Sequence, residues 1–103
     1  MFLENSVVIK LTTKDGASEI SWSLGTACEM PVGSYEDDKE YTKTCTVLPG
    51  EYTLTCKDSG EDGWQGGFIE IQGTQYCRGF QSGFQETVQV TITPIGMHLN
   101  FWF

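Results

Sequence analysis

The chain has 103 residues, enough for one domain, and its 14 acidic and 6 basic side chains give a formal net charge of -8. Phosphate backbones and anionic lipid repel so acidic a chain, which excludes nucleic acid as the expected partner and favours metal cations or basic surfaces. Hydrophobic residues make up 39% of the sequence, as in a folded domain, yet no apolar stretch is long enough to insert into a membrane.

The beginning of the chain carries no recognisable targeting signal. Residues Met1 to Asn5 lack the basic start and the long apolar run of a signal peptide. We therefore expect either a mature or excised extracellular domain, or a protein that is not secreted at all.

Apolar and polar residues alternate with a period of two in four runs, which in chain order are 7–12, 19–24, 52–57 and 87–92. Each run predicts a strand with one buried face and one wet face. Asp-Gly and Pro-Gly turn signals separate the runs, and no segment carries a capped helical repeat. The sequence therefore predicts a single all-β domain, an antiparallel β-sandwich (jelly-roll or CUB-like) of about seven or eight strands.

Four cysteines lie along the chain at Cys28, Cys45, Cys56 and Cys77. None forms a C-x-x-C pair and the only histidine is His98, so a structural zinc site is poorly supported. An even number of cysteines in a short, turn-rich chain predicts two disulfides and an extracellular protein. Three pairings stay open, and four reduced, buried cysteines in a cytosolic protein are the alternative.

The segment from Cys28 to Lys39 is predicted to be a long loop with three consecutive acids, Glu36, Asp37 and Asp38. Such a run of charge is typical of a solvated loop. Whether these acids join any metal site is left open by the sequence.

A glycine-rich segment over 58–67 is the best candidate for a functional site. Asp58 and Asp62 lie four residues apart among glycines, and calcium binds carboxylate and carbonyl oxygens that such a loop can turn inward. The start is similar to an EF-hand loop, but Gly60 at the third position, Ile69 at the twelfth and the missing helices reject that motif. A turn in which the aspartates only cap backbone N–H groups is the alternative.

Three motifs occur in order within residues 7–92: Leu11-Thr12-Thr13-Lys14-Asp15 with Ser18 to Leu24, then Cys45-x-x-Leu48, Gly50-x-Tyr52-x-Leu54 and Asp58-Ser59-x-x-Asp62-Gly63-Trp64-x-Gly66-Gly67, then Tyr76 to Phe80. Together they resemble a repeat module of secreted and surface proteins of algae and other protists, with a signature close to D-S-x-G-D-G-W-x-G. The chain departs from it by one inserted residue between Gly60 and Gly63. The resemblance implies a secreted β-sandwich in a matrix or adhesive setting, and it implies that Glu19 and Asp15 approach the 58–62 loop.

Several aromatic residues could form a ligand surface. An exposed Trp64 beside polar groups would offer a stacking platform for a sugar ring, and Tyr76, Tyr35 and Trp102 could extend it. A Trp64 ring folded back as a lid on the end of the sandwich is the alternative. Trp22 alternates with core residues and is predicted to be buried.

The last seven residues, 97–103, alternate: one face of an extended strand would carry Met97, Leu99, Phe101 and Phe103, and the other would carry His98, Asn100 and Trp102. They predict a terminal strand that pairs either within its own sandwich or with the sheet edge of a neighbouring subunit. No nucleophile motif, phosphate-binding loop or metalloprotease motif occurs, so no catalytic residue is predicted.

These features together predict an extracellular, non-enzymatic binding module that is stabilised by calcium and recognises a glycan or a matrix protein in cell adhesion. The candidate metal ligands are Asp58, Asp62, Glu61 and Glu19, and the candidate ligand-binding residues are Trp64 and Tyr76. The alternative is a structural subunit of an extracellular fibre or surface assembly, a homo-oligomer joined through residues 97–103.

Overall fold

The structure is a computed structural model, and it describes residues 5–30, 33, 35–61 and 63–93. These residues form eight strands. The strands are β1 (Asn5–Thr12), β2 (Ile20–Leu24), β3 (Cys28–Met30), β4 (Glu40–Val47), β5 (Gly50–Asp58), β6 (Phe68–Ile71), β7 (Thr74–Tyr76) and β8 (Gln85–Ile92). A single 3-10 turn over Ala17–Glu19 precedes β2, and the described residues contain no α-helix.

The strands form two antiparallel sheets of four strands each. The first sheet has the order β4-β1-β6-β7 and the second has the order β3-β2-β5-β8. All six strand pairs are antiparallel. The predicted all-β antiparallel sandwich of seven or eight strands is therefore confirmed.

The core lies between the two sheets because each long strand alternates apolar and polar side chains. Ile9 and Leu11 of β1 face Leu24 of β2 and Leu54 of β5 across one cluster of buried side chains. Trp22 is also buried, as its alternation with Ile20 and Leu24 predicts. Every buried side-chain nitrogen or oxygen in the described part of the chain has a hydrogen-bond partner.

Two disulfides connect one sheet to the other. Cys28 of β3 pairs with Cys45 of β4, and Cys56 of β5 pairs with Cys77 just after β7, with Cα separations of 6.0 and 6.6 Å. The prediction of two disulfides is confirmed, and one of the three possible pairings is selected. Two disulfides in a small domain are compatible with an extracellular location. The described residues include no helix with the length and hydropathy to cross a membrane.

Candidate functional site

The loops at one end of the sandwich bring together acids that are far apart in the sequence. This acidic end consists of residues 13–19, 35–39, 58–61, 63–67 and 77–84, which adjoin the strand ends at Thr12, Ile20, Glu40 and Gln85. It contains seven of the twelve acidic residues that the structure describes, namely Asp15, Glu19, Glu36, Asp37, Asp38, Asp58 and Glu61. The turns at the opposite end, around 25–27, 48–49 and 72–73, contain no acid.

A buried threonine fixes the 35–39 loop to the end of β1. Thr13 is 1% exposed, its hydroxyl donates to the Glu36 carbonyl at 2.7 Å, and the Lys39 N–H donates to the same hydroxyl at 2.8 Å. The Asp37 Oδ1 then accepts the N–H of Ala17 at 2.8 Å, at the start of the 3-10 turn. The loop predicted to be merely solvated is therefore attached to the neighbouring loop by specific hydrogen bonds.

The Glu19 carboxylate lies directly against Gly60 in the glycine-rich loop. An ideal Cβ built on Gly60 would be 2.0 Å from Glu19 Oε1, so only a glycine leaves room for the carboxylate there. The backbone reinforces the contact, because the Ser59 N–H donates to the Glu19 carbonyl at 2.9 Å. The structure thus brings Glu19 to the 58–61 segment, while Asp15 is exposed in the preceding turn.

Asp58 is buried rather than presented to solvent. It follows Leu54 and Cys56 at the next inward position of β5, and it is 1% exposed. Its Oδ1 accepts the N–H of Gly60 at 3.2 Å, which is the capped turn that the sequence left as an alternative to a calcium loop. A signal for this burial is present in the sequence, since Asp58 continues the period of two that begins at Tyr52.

Of the other two predicted metal ligands, Glu61 and Asp62, the structure describes only Glu61. Glu61 is exposed, has a left-handed φ of 65°, and accepts the Gly83 N–H through its carbonyl at 2.9 Å. Asp62 lies outside the described residues. Within the described ranges, no group of three or more histidine, cysteine, aspartate or glutamate side chains is arranged to hold a metal ion.

Trp64 is buried, so the prediction of an exposed stacking ring is wrong. The side chain is 1% exposed, and its indole Nε1 donates to the Lys57 carbonyl at 2.9 Å. Its backbone N–H donates to the Phe80 carbonyl at 2.8 Å, and the ring centroids of Trp64 and Phe80 are 6.4 Å apart. The ring is folded back on the end of the sandwich, which was the alternative prediction. Burial against Phe80 removes its large apolar surface from water.

Of the remaining aromatic candidates, the structure describes Tyr35 and Tyr76. Tyr35 is 5% exposed and its hydroxyl accepts the indole N–H of Trp22 at 2.9 Å, so the expectation that it extends a ligand surface is wrong. Burial raises the pKa of the Tyr35 phenol above its ordinary value, an effect that the Trp22 hydrogen bond opposes and nearby Tyr41 reinforces. Tyr76 is half-buried in β7, opposite Ile69 of β6, and Trp102 lies outside the described residues.

Comparisons of the chain with protein-family models, with curated proteins and with solved structures found no match. The resemblance to the protist surface module therefore stays a prediction, and so do the roles that it implies for Glu19 and Asp15.

Proposed function

We propose that the protein is an extracellular, non-enzymatic binding module that uses its acidic end to bind calcium and, with it, a glycan or a matrix protein. The observation that carries the proposal is the Glu19 carboxylate seated on Gly60, which places a strand-end acid against the loop that contains Asp58 and Glu61. The two disulfides support the extracellular part of the proposal.

The acidic end supports a binding role because its loops hold one another in place. Thr13, Asp37 and Glu19 each connect two loops through hydrogen bonds of 2.7 to 2.9 Å. Loops fixed in this way present their acids in a constant arrangement, and a ligand that binds a preorganised site does not have to order it. A concentration of negative charge also attracts cations and basic segments.

The oxygen atoms at this end belong to carboxylates and carbonyls, which are the ligand types that calcium binds. Glu19 would supply a carboxylate from the 3-10 turn just before β2, and the loop would supply carbonyls near Gly60. Asp58 contributes one oxygen already engaged with the Gly60 N–H. Calcium takes six to eight oxygens, so the described carboxylates would need Asp62, carbonyls and water to complete the set. Bound calcium would neutralise charge where the acids converge and hold the loops in one arrangement.

Thermal unfolding of the oxidised protein in calcium and in a chelator tests the proposal. A ligand at a hundredfold excess over its dissociation constant stabilises the folded state by about 2.7 kcal/mol. For a domain of this size we expect the midpoint to rise by roughly 10 °C or more in calcium. Glu19→Gln should abolish that rise, because the amide removes the charge and keeps the shape.

Glu29→Gln provides the matched control. Glu29 is an exposed acid on β3, away from the acidic end, so its variant should keep the full calcium response. Equal melting midpoints of the unmodified protein in calcium and in chelator would reject the calcium part of the proposal. An equal loss of response in both variants would show that calcium acts on overall charge rather than at Glu19.

A further inference from the structure

The sandwich has four edge strands, and three of them carry features that block pairing with another chain. The edge strands β3 and β7 have only three residues each, too few to align a long partner strand. The edge strand β4 has eight residues, but Lys43 takes the position paired with buried Ile9, and an inward-pointing charge on an edge strand is a known protection against pairing.

The fourth edge, β8, is long and unprotected over most of its length. It forms eight consecutive pairs with β5 and has no proline and no interruption of register. Its one charge, Glu86, is paired with buried Cys56 as Lys43 is with Ile9, but it is only the second residue of the strand. The following six residues (87–92) are all uncharged and mostly β-branched. No strand pairs with the other side of β8 anywhere in the described part of the chain. Such an edge is a template for another strand.

The sequence of β8 is symmetric about Gln89. Residues 87–91 read Thr-Val-Gln-Val-Thr in either direction. If two copies of β8 lie antiparallel with Gln89 opposite Gln89, then Thr87 lies opposite Thr91 and Val88 opposite Val90. Threonine pairs stabilise antiparallel strands through hydrogen bonds, and the valine and glutamine pairs bring no like charges face to face. A twofold contact uses the same patch on both subunits, and this edge is self-complementary in that sense.

We propose that two copies of this chain dimerise through β8, edge to edge and antiparallel, with the twofold axis at Gln89. The β3-β2-β5-β8 sheets of the two copies then form one continuous sheet. The dimer does not depend on the proposed calcium site, because its interface is the edge of β8 and the calcium site is in the loops of the acidic end.

The charge distribution favours this orientation. In the symmetric register Glu86 lies opposite Ile92 of the other copy, so no two like charges face each other along the edge. Because β8 begins at the acidic end, antiparallel pairing places the two acidic ends at opposite ends of the dimer. Two chains with a formal charge of -8 each then associate with their acids far apart. Phe84, 61% exposed and directly before β8, would lie beside the end of the partner's strand.

The mass of the full oxidised chain, measured by sedimentation equilibrium up to about 1 mM, tests the dimer. We expect a concentration-dependent rise to twice 11.5 kDa. Gln89→Lys places two lysines opposite each other at the axis and should raise the dimer dissociation constant about fivefold or more. The variant also lowers the net negative charge, so weaker pairing could not come from overall repulsion.

Charge exchange at the axis makes the test specific. Gln89→Glu alone should also weaken pairing, and an equimolar mixture of the lysine and glutamate variants should restore the dimer mass, which shows at once that both variants are folded. Thr44→Lys, an exposed change to the same residue type on edge strand β4, should leave the dissociation constant unchanged.

A double variant tests the register. Thr87→Glu combined with Thr91→Lys places opposite charges face to face twice in the proposed register and should tighten the dimer. A monomer at every concentration would overturn the proposal and indicate that the chain covers its own edge. Filaments, or a dimer that Gln89→Lys and Gln89→Glu leave unchanged, would overturn it as well.

Discussion

Trp22 and Tyr35 share the buried hydrogen bond that connects the second sheet to the loop before β4. The indole N–H of Trp22 donates to the Tyr35 hydroxyl at 2.9 Å, and the tilted rings of Tyr35 and Tyr41 have centroids 4.7 Å apart. Tyr41 in turn accepts the Glu36 N–H at 2.8 Å. The two tyrosines therefore join the core to the acidic loop over 35–39.

Tyr35→Phe should lower the free energy of unfolding by about 1–3 kcal/mol at neutral pH, because it leaves the Trp22 N–H buried without a partner. The pKa of Tyr35 is raised in the folded state above 10.0, so the neutral phenol contributes stability that is complete below pH 10. That contribution is lost as the pH rises through the raised folded pKa. The difference between the variant and the unmodified protein should therefore shrink above pH 10.

Urea unfolding at pH 7 and at pH 11 measures both effects. Tyr52→Phe is the control, since the Tyr52 hydroxyl donates to the exposed Leu48 carbonyl and its ring is only half-buried. A Tyr35→Phe cost that stays constant between the two pH values would contradict the assignment.

Single aromatic residues in loops were the least predictable part of the candidate site. Trp22 belongs to an alternating run, and the run alone predicts its burial. Trp64 and Tyr35 belong to no run, and their burial depends on partners such as Phe80 and Trp22, 16 and 13 positions away. Asp58 is an intermediate case, because it extends an alternating run into a segment that glycines identify as a loop.

Two glycines of the glycine-rich loop, Gly60 and Gly63, differ in what an added Cβ would contact. An ideal Cβ on Gly63 would be 2.3 Å from the Phe80 carbonyl oxygen, and Gly63 has a φ of 76°. The Cβ of residue 60 would meet only the end of the flexible Glu19 side chain.

We expect Gly63→Ala to cost about 2 kcal/mol or more, since backbone must move and the conformation disfavours any side chain. Gly60→Ala should cost less than about 1 kcal/mol and should displace the Glu19 carboxylate, which would remove the calcium response. Urea unfolding gives both costs, and the melts in calcium and chelator give the response. Equal costs would show that the loop does not depend on close backbone packing at Gly63.

Four of the five strands with five or more residues followed from the sequence, and β4 and the three short strands did not. The four alternating runs correspond to β1, β2, β5 and β8, with bounds that differ by a few residues. In β4 the lysine at position 43 interrupts the alternation of Tyr41, Cys45 and Val47. The strands β3, β6 and β7 have three or four residues, too few for a period to be read, and they form because longer neighbours offer them an edge.

The two disulfides constrain the whole molecule, because they close loops with sequence separations of 17 and 21 residues. On the loop-entropy model, replacing either pair of cysteines by serine should lower the free energy of unfolding by about 3 kcal/mol. Denaturant unfolding of Cys28→Ser/Cys45→Ser and of Cys56→Ser/Cys77→Ser measures each cost. A cost near zero for one pair would mean that its two sheets stay together without the covalent link.

The two disulfides also determine how the domain responds to a pulling force. A force applied at residues 5 and 93 would act on β1 and β8, which both have these ends opposite the acidic end. Once the strands separate, the covalent path runs across Cys28–Cys45 and Cys56–Cys77 and bypasses both loops. The bypassed segments, of 17 and 21 residues, would otherwise add roughly 60 and 70 Å of length. Under load the two disulfides therefore shorten the fully stretched chain by roughly 130 Å, and only the segments outside the two loops can extend.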